Sequence, residues 1–370
     1  MRWRTHYSPI GLDIGSHQVK MVQLKGKPAQ WSPHDIAVGS LSAESVEDAP
    51  VDTDQIARCV RSMRAAGTFI GNKVVSVLPC SEVDIRTIRV SWREAAEHKH
   101  DMIRREAEAY LPYNIDEAIL DAIMVGKAHE DEAEKQQCIL VAARRHNVDV
   151  HLDMLRAAGL QCVALDVQPL ALSRLVLHSP QLVTDAPLLV VDLGCQYSTA
   201  FVWWRDVLMY NRTFAWGGVL LTQALMKDLE LDYERAELLK QQYGIDPQAT
   251  AHHRLTETSH RINVHAMPGL VYEIVRPHLE HLVQELERIL AFGGAQIHGA
   301  MIERMLLCGG SAALKKLDTY IHQRLGIDVV VTEPWRDLAG TSANGQEQPW
   351  QSLCIPAVAT ALGLALRERS

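Results

Sequence analysis

The stretch Ile10-Gly-Leu-Asp-Ile-Gly15 decides the fold, because a second copy of it, Leu188-Leu-Val-Val-Asp-Leu-Gly194, follows later in the chain. The two copies align Asp13 with Asp192, and each leads through a short turn into another apolar run. Apolar runs on either side of a glycine-containing turn are typical of β-hairpins. A pattern that recurs after about half of the chain predicts two related α/β lobes that face one cleft.

The segments beyond the two copies predict further elements. Apolar residues from Ile56 to Met63 have the spacing of one helix face, and Gly67 is placed to end that helix. A second stripe, from Val275 to Ile289, predicts a long helix with Pro277 in its first turn, where proline is tolerated. Residues 357–366 predict a closing helix.

The composition excludes several classes of protein. With 370 residues, 47% of them hydrophobic, and a net charge of -8, the chain is that of a globular protein of two or three domains without the basic surface that binds nucleic acid. The longest apolar stretch, Ile355–Leu366, is too short to span a bilayer. No signal peptide follows Met1, and the chain stops soon after its closing helix, so we expect a cytoplasmic protein with no membrane anchor of its own.

Cysteine and histidine usage argues against a structural metal. The seven cysteines are scattered and never form a C-x-x-C pair, which favours reduced thiols. Several histidines cluster in the second half of the chain, but without accompanying cysteines or a repeated spacing they do not predict a zinc site. They are His252, His253, His260, His265, His278 and His281.

The repeated corners carry the chemistry of a polyphosphate site. Phosphates need close backbone N–H donors, which glycine allows, and Mg²⁺ needs a carboxylate, directly or through water. Asp13 and Asp192 are the predicted magnesium ligands, through water, and the hydroxyls and the lysine nearby are further candidates. This first set of candidate cofactor-binding residues is Asp13, Gly15, Ser16, Lys20, Asp192, Gly194, Ser198 and Thr199.

The order of these motifs resembles the actin-like ATPase superfamily, which includes sugar kinases and heat-shock proteins. The resemblance implies a duplicated ribonuclease-H-like fold that binds ATP with Mg²⁺ between two lobes. It assigns an adenosine motif to Leu306–Ser311 and an adenine-gripping E-x-x-K motif to Glu237 and Lys240. It adds Gly217, Gly218, Glu237, Lys240, Gly309, Gly310 and Ser311 to the candidate site.

Plainer interpretations of these residues stay open. Lys20 is equally compatible with a solvated strand lysine. Glu237 and Lys240 have the spacing of an exposed helical ion pair. Gly309 and Gly310 could form only a tight turn. The first loop also carries His17 where the superfamily usually has small hydroxyl residues.

A narrower resemblance is to the PilM family, the actin-like proteins of type IV pilus assembly and twitching motility. It rests on Glu106-Ala-Glu-Ala-Tyr-Leu-Pro112, Asp121, Val141-Ala-Ala-Arg-Arg145, Ala158-Gly-Leu160 and Leu165-Asp-Val-Gln-Pro169. It implies an α+β subdomain (SHS2-like) inserted early in the first lobe, as in FtsA. It also implies docking to the cytoplasmic tail of a PilN-like inner-membrane protein, contacts with other pilus assembly proteins and a possible homo-oligomer.

The resemblance divides the chain into four expected units. The first-lobe core comprises residues 8–78, 163–184 and 350–370, and the inserted subdomain comprises 79–162. The second-lobe core comprises 185–235 and 305–349, and its helical subdomain comprises 236–304.

We therefore expect an ATP-binding scaffold, held at the inner membrane by its partner, whose nucleotide biases lobe closure. Hydrolysis is left open, because Asp166 and Gln168 are the nearest candidates for a hydrolytic group and a packing role fits them equally well. The alternatives are a small-molecule phosphotransferase and a filament-forming ATPase of the same superfamily.

Overall fold

Two five-stranded sheets carry the two copies of the repeated sequence. The computed structural model describes residues 6–27, 30–41, 52–91, 99–127, 135–179, 182, 185–248, 267–297, 300–334 and 355–367. Its strands are β1 Ile10–Ile14, β2 Gln18–Lys27, β3 Gln30–Ser40, β4 Lys73–Val77, β5 Val83–Ser91, β6 Ala118–Lys127, β7 Lys135–Arg144, β8 Gln161–Asp166, β9 Leu188–Leu193, β10 Ser198–Trp204, β11 Val207–Phe214, β12 Arg304–Cys308 and β13 Asp328–Val331. Its helices are α1 Thr53–Ala66, α2 Lys99–Glu108, α3 Arg145–Ala157, α4 Gln168–Leu177, α5 Gly218–Leu229, α6 Tyr233–Tyr243, α7 Met267–Gln296, α8 Leu317–Leu325 and α9 Ala359–Ala365.

The two sheets have the same topology. The first has the order β3-β2-β1-β4-β8, and the second has the order β11-β10-β9-β12-β13. In both, the strand that ends in the Asp-x-Gly corner pairs antiparallel with the next strand and parallel with the fourth strand of its sheet. Asp13 lies opposite Lys20, and Asp192 lies opposite Thr199. The duplication predicted from the sequence is therefore present in the fold.

Helices α4 and α9 lie between the two sheets. Leu172 and Leu175 of α4 and Leu362 of α9 share one buried cluster with Val22 of the first sheet and Val190 of the second. Along β9 the side chains alternate, because successive residues of a strand face opposite sides. Val190 therefore faces the helices between the sheets, while its neighbours pack toward the outer helices of the second lobe.

Small residues bring these central helices close to their neighbours. A Cβ at Gly11 of β1 would overlap the Ala361 carbonyl of α9, and one at Gly363 would overlap the Ala171 carbonyl of α4. On the other face of the first sheet, Val60 of α1 packs in one cluster with the α3 side chains. The outer face of the second sheet is covered by α5 to α8.

A smaller three-stranded sheet, of order β5-β7-β6, is inserted between β4 and β8. Its elements follow in the order strand, helix, strand, strand, and Met102 and Ile103 of α2 pack on one of its faces. On the other face, Ile139 joins the cluster around α4. The Thr87 hydroxyl of β5 donates a hydrogen bond to the Leu208 carbonyl of β11, at 2.7 Å. The insert therefore contacts the second lobe as well as the first.

Two elements differ from the sequence predictions. Helix α7 begins at Met267, so Pro277 lies well inside the helix and not in its first turn. Proline has no N–H for the Glu273 carbonyl, and tertiary packing of the buried apolar face outweighs that loss. Strand β3 had no counterpart in the sequence predictions, because Pro33, His34 and Asp35 interrupt its apolar pattern.

Some predicted features fall outside the described residues, among them His252, His253, His260 and His265. In the described part of the chain, no cluster of three or more His, Cys, Asp or Glu side chains is placed to hold a metal ion. Among the described helices, none has the length and apolarity that crossing a bilayer requires.

Candidate functional site

A cavity of about 890 Å³ lies between the lobes, and we call it the cleft. Both Asp-x-Gly corners open into it, together with the Gly309-Gly310 turn and the inner face of α6. Residues predicted from the sequence that line it are Asp13, Gly15, Ser16, Lys20, Gln168, Asp192, Gly194, Thr199, Gly218, Glu237, Lys240, Gly309, Gly310 and Ser311.

The first corner forms the turn between β1 and β2. The Gly15 N–H donates to the Gln18 carbonyl at 2.9 Å, which closes the turn, and the Leu41 N–H holds the His17 carbonyl at 2.8 Å. Lys20 reaches back over this turn, and its Nζ lies 3.2 Å from Asp13 Oδ2. A Cβ at Gly15 would lie 2.9 Å from that Nζ, so glycine leaves room for the lysine. The ammonium is thereby directed into the cleft and away from bulk solvent.

The second corner is tied to the glycine turn after β12. A Cβ at Gly194 would overlap the Tyr197 carbonyl, and the Ser311 hydroxyl donates to the Gly194 carbonyl at 2.8 Å. Gly309 has φ +87°, a conformation that favours glycine, and a Cβ there would lie 2.6 Å from Asp192 Oδ1. These close contacts bring backbone, rather than side chains, to this side of the cleft.

Asp192 is the buried charge of the site. Its side chain accepts a hydrogen bond from the Thr360 hydroxyl of α9 at 3.3 Å. Burial, and then the negative charge of Asp13, raise the pKa of Asp192 to about 6, although Lys20 and Thr360 lower it. Two carboxylates that repel one another at the bottom of a cavity are a favourable place for a divalent cation.

The two carboxylates fit Mg²⁺ better than a cation that needs a full set of protein ligands. The described residues offer no third acidic, histidine or cysteine ligand at this point. Magnesium is usually held by one or two carboxylates, with water and substrate phosphates completing its shell. Asp13 and Asp192 are therefore the residues that would hold it, together with an anionic ligand in the cleft.

A buried network on α5 and α6 forms the opposite wall. Lys240 Nζ lies 2.6 Å from Glu237 Oε2, and it donates to the Gly218 carbonyl at 3.0 Å and to the Thr222 hydroxyl at 2.8 Å. Burial raises the pKa of Glu237, but Lys240 and three hydrogen bonds outweigh burial, so the pKa lies below its ordinary value. The pair is fixed by Thr222 and is not an exposed helical ion pair.

Three of the sequence-predicted residues lie outside the cleft lining. The Ser198 hydroxyl is buried and donates to the Trp216 carbonyl at 2.7 Å. Gly217 packs under the second corner, where a Cβ would overlap the Cys195 carbonyl. Asp166 is buried in ion pairs with Arg174 and Arg367, the latter at 2.6 Å.

The structure adds residues that the sequence did not single out. Thr222 holds Glu237 and Lys240, Thr360 binds Asp192, and Tyr233 lines the cleft. Thr222 follows Gly218 by one helical turn, so the two residues lie on the same face of α5, and this spacing is the signal in the sequence that could have indicated Thr222. Thr360 approaches Asp192 only after the chain has folded, from 168 positions away.

The family of the chain follows from a sequence profile described as type IV pilus assembly protein PilM. The profile matches residues 11–253 and 260–369, nearly the whole length. The chain belongs to the PilM family. The family expected from the insert motifs is thus confirmed.

Solved structures agree with this family and with its fold. The chain is similar to a structure titled "PilM-PilN type IV pilus biogenesis complex", with 27% identity and a TM-score of 0.75, over 97% of this chain and 98% of that one. It also resembles the ethanolamine utilization protein EutJ from Carboxydothermus hydrogenoformans, with 16% identity and a TM-score of 0.56, over 98% of this chain and 89% of that one. The two-lobed actin-like ATPase fold of this PilM-family protein is confirmed.

A more distant match is MreB5 of Spiroplasma citri with bound AMPPNP, at 10% identity and a TM-score of 0.46, over 89% of this chain and 93% of that one.

Proposed function

We propose that this PilM-family protein binds ATP with Mg²⁺ in the cleft and acts as a nucleotide-dependent scaffold of type IV pilus assembly. One observation carries the nucleotide half of the proposal. Two carboxylate-and-glycine corners from duplicated sheets, with the ammonium of Lys20 beside Asp13, open into one cavity. That combination supplies what a magnesium polyphosphate requires, namely close backbone approach, a cation site and a compensating positive charge.

The remaining walls of the cleft suit the nucleoside. The Glu237–Lys240 pair and its Thr222 partner offer a fixed donor and acceptor on one side, and the Gly309-Gly310 turn offers a surface without side chains on the other. Because the corners come from different lobes, a ligand that touches both favours their approach. We propose that bound nucleotide biases the lobes toward closure.

Calorimetric titration with ATP, in the presence and absence of Mg²⁺, tests the nucleotide proposal. We expect Asp192→Asn to weaken Mg-ATP binding at least tenfold, because it removes a magnesium ligand, while ATP without metal is affected much less. Asp101→Asn is the matched control, since Asp101 is exposed on α2 and outside the cleft. Equal Mg-ATP affinity in the wild type, in Asp192→Asn and in Asp13→Asn would reject the site.

We further propose that the partner is a PilN-like inner-membrane protein, whose cytoplasmic tail docks against the insert. The support is family membership together with the complex named in the similar structure. Such docking would hold this protein on the cytoplasmic face of the inner membrane.

A groove that continues from the cleft toward the insert offers the place for that tail. Its lining includes the apolar side chains of Ile56 of α1 and of Val150 and Met154 of α3, which we call its floor, and the polar residues Glu82 and Asn147, which we call its rim. Val150 is 40% exposed although it is apolar. An extended peptide with apolar side chains fits such a groove by inserting them between the helices while its backbone meets the polar rim.

Substitution of Val150 tests this docking site. We expect Val150→Glu to abolish capture of a synthetic peptide of the partner's tail, because it places a charge on the apolar floor, and to leave ATP affinity unchanged. Val163→Glu is the matched control, since Val163 is similarly exposed (44%) but lies on β8 outside the groove. If Val150→Glu binds the peptide as the wild type does, the tail docks elsewhere.

A further inference from the structure

His17 is a residue of the first corner that takes no part in the proposed magnesium site or in the network around Glu237 and Lys240. His17 occupies the tip of the turn between β1 and β2, and its side chain lines the cleft. Its backbone is fixed, because its carbonyl accepts the Leu41 N–H and the next residue closes the turn with Gly15. The backbone that carries the imidazole is therefore fixed beside the cleft.

The environment of this imidazole is unusual for a structural histidine. Its ring packs against the Tyr233 ring of α6, with centroids 5.7 Å apart, so it reaches across from the first lobe to the second. Within the described part of the chain, His17 Nδ1 is shielded from solvent and has no hydrogen-bond partner. A buried polar atom is normally paired, so an unpaired one on a residue that lines a cavity calls for an explanation such as a missing ligand or water.

The charges around His17 indicate which ligand would pair with it. Lys20 faces it from β2, and Tyr233, Glu237 and Lys240 face it from α6. Burial lowers the pKa of His17, Glu237 raises it, and Lys240 and Lys20 lower it again, so the pKa lies below its ordinary value. An anion placed among Lys20, Lys240 and His17 would reverse this balance, because it compensates the lysines and attracts a proton to the ring.

We propose that His17 is a phosphate ligand of this protein, which binds the polyphosphate of the nucleotide in its imidazolium form. This inference rests on the proposed nucleotide function. The imidazolium of His17, which titrates, takes the place of the small hydroxyl residue that the superfamily usually has in this first loop. Phosphate binding is then coupled to uptake of a proton, and acid strengthens it in the range where histidine titrates.

Proton counting by calorimetry tests the inference. Mg-ATP and inorganic tripolyphosphate are titrated near pH 7 in two buffers of different ionisation enthalpy, and the difference in heat gives the number of protons taken up. We expect the wild type to take up a substantial fraction of a proton with either ligand, and His17→Gln to take up almost none. The affinity lost in His17→Gln should be roughly tenfold at pH 6 and should vanish by pH 8.

Two further variants separate a phosphate ligand from a structural residue. His17→Lys keeps a positive charge that does not titrate, so we expect it to restore affinity at all pH values without proton uptake. His278→Gln is the matched control, because His278 also has a pKa lowered by burial but does not line the cleft. Adenosine affinity should be the same in all four proteins.

The outcomes distinguish this inference from the function on which it rests. If the wild type binds neither Mg-ATP nor tripolyphosphate, the nucleotide function fails and this inference fails with it. If the wild type binds both, but His17→Gln takes up as many protons and binds as tightly, the imidazole is not a phosphate ligand and the nucleotide function stands.

Discussion

At the scale of single residues, His151 is held neutral by its surroundings. It is 8% exposed on α3, its Nε2 lies 2.9 Å from the Ser76 hydroxyl, and burial lowers its pKa to about 4. Its ordinary value, which the unfolded chain retains, is 6.5. Between these two values the unfolded chain binds more protons than the folded protein. The contribution of neutral His151 to the free energy of unfolding is therefore complete above pH 6.5 and is lost as the pH drops toward 4.

We predict that His151→Gln reduces this loss of stability in acid. The full effect of the shift is about 3 kcal/mol, because each pKa unit corresponds to about 1.4 kcal/mol. The measurement is urea unfolding of both proteins at pH 7.5 and pH 5. His100→Gln, an exposed substitution on α2, should leave the pH dependence unchanged. If wild type and His151→Gln lose the same stability between these two pH values, His151 is not the titrating group.

Sequence reasoning was most informative for the residues of the repeated corners. Asp13 and Asp192 could be aligned from the sequence, because each carboxylate follows a strand and precedes a glycine turn. The proposed role of His17 could not be predicted from the sequence, because it depends on the contact with Tyr233 in the other lobe. Asp166 and Gln168 stay candidates for a hydrolytic role, but only Gln168 lines the cleft, since Asp166 is engaged by two arginines.

At the scale of elements, α4 and α9 approach each other closely in the centre of the molecule. Gly363 of α9 sits directly against the Ala171 carbonyl, and the Arg174 guanidinium donates to the Gly363 carbonyl at 2.8 Å. Any side chain at this position would have to displace backbone, which packed interiors resist.

We predict that Gly363→Ala lowers the free energy of unfolding by about 3 kcal/mol, because the added methyl group forces α4 and α9 apart. Gly294→Ala is the matched control. Its Cβ would meet nothing within 4 Å, so the same change in α7 should stabilise the protein by up to about 1 kcal/mol through helix propensity. Denaturant unfolding of both variants measures the difference. An equal effect of the two substitutions would mean that the central helices separate without cost.

The elements that sequence reasoning missed share one physical cause. Strand β3 lies at the edge of its sheet, where Pro33 is tolerated because an edge strand leaves some N–H groups unpaired. Helix α7 begins eight residues before the apolar stripe, because Val271 and Tyr272 find partners only in the folded second lobe. Local patterns predict elements whose burial is regular, whereas these two depend on tertiary neighbours.

At the scale of the whole molecule, the cleft and the groove at the insert belong to one continuous cavity. The proposed nucleotide and the proposed tail would therefore share walls formed by the first lobe. If one ligand changes the separation of these walls on binding, it also changes the affinity for the other ligand. The second ligand must then change the affinity for the first by the same factor.

We predict that Mg-ATP and the tail peptide strengthen each other's binding about 5- to 150-fold, which is the usual range for coupled sites. Calorimetry of each ligand in the absence and presence of the other closes the thermodynamic cycle. The Val150→Glu variant should keep its ATP affinity and lose only the enhancement by peptide. Affinities that stay unchanged in the presence of the second ligand would show that the sites are independent.

The placement of α4 and α9 side by side between the sheets also restricts how the two halves can move. The chain passes from the first sheet to the second through α4, and α9 packs beside α4 after the second sheet. If the lobes close as proposed, we expect one half to rotate about an axis near this pair. Displacement grows with distance from such an axis, so in the proposed closure we expect Thr360 to keep its place beside Asp192. A fluorophore attached near Thr360 would therefore report whether nucleotide is bound beside Asp192, whereas one attached on α6 would report the angle between the two lobes.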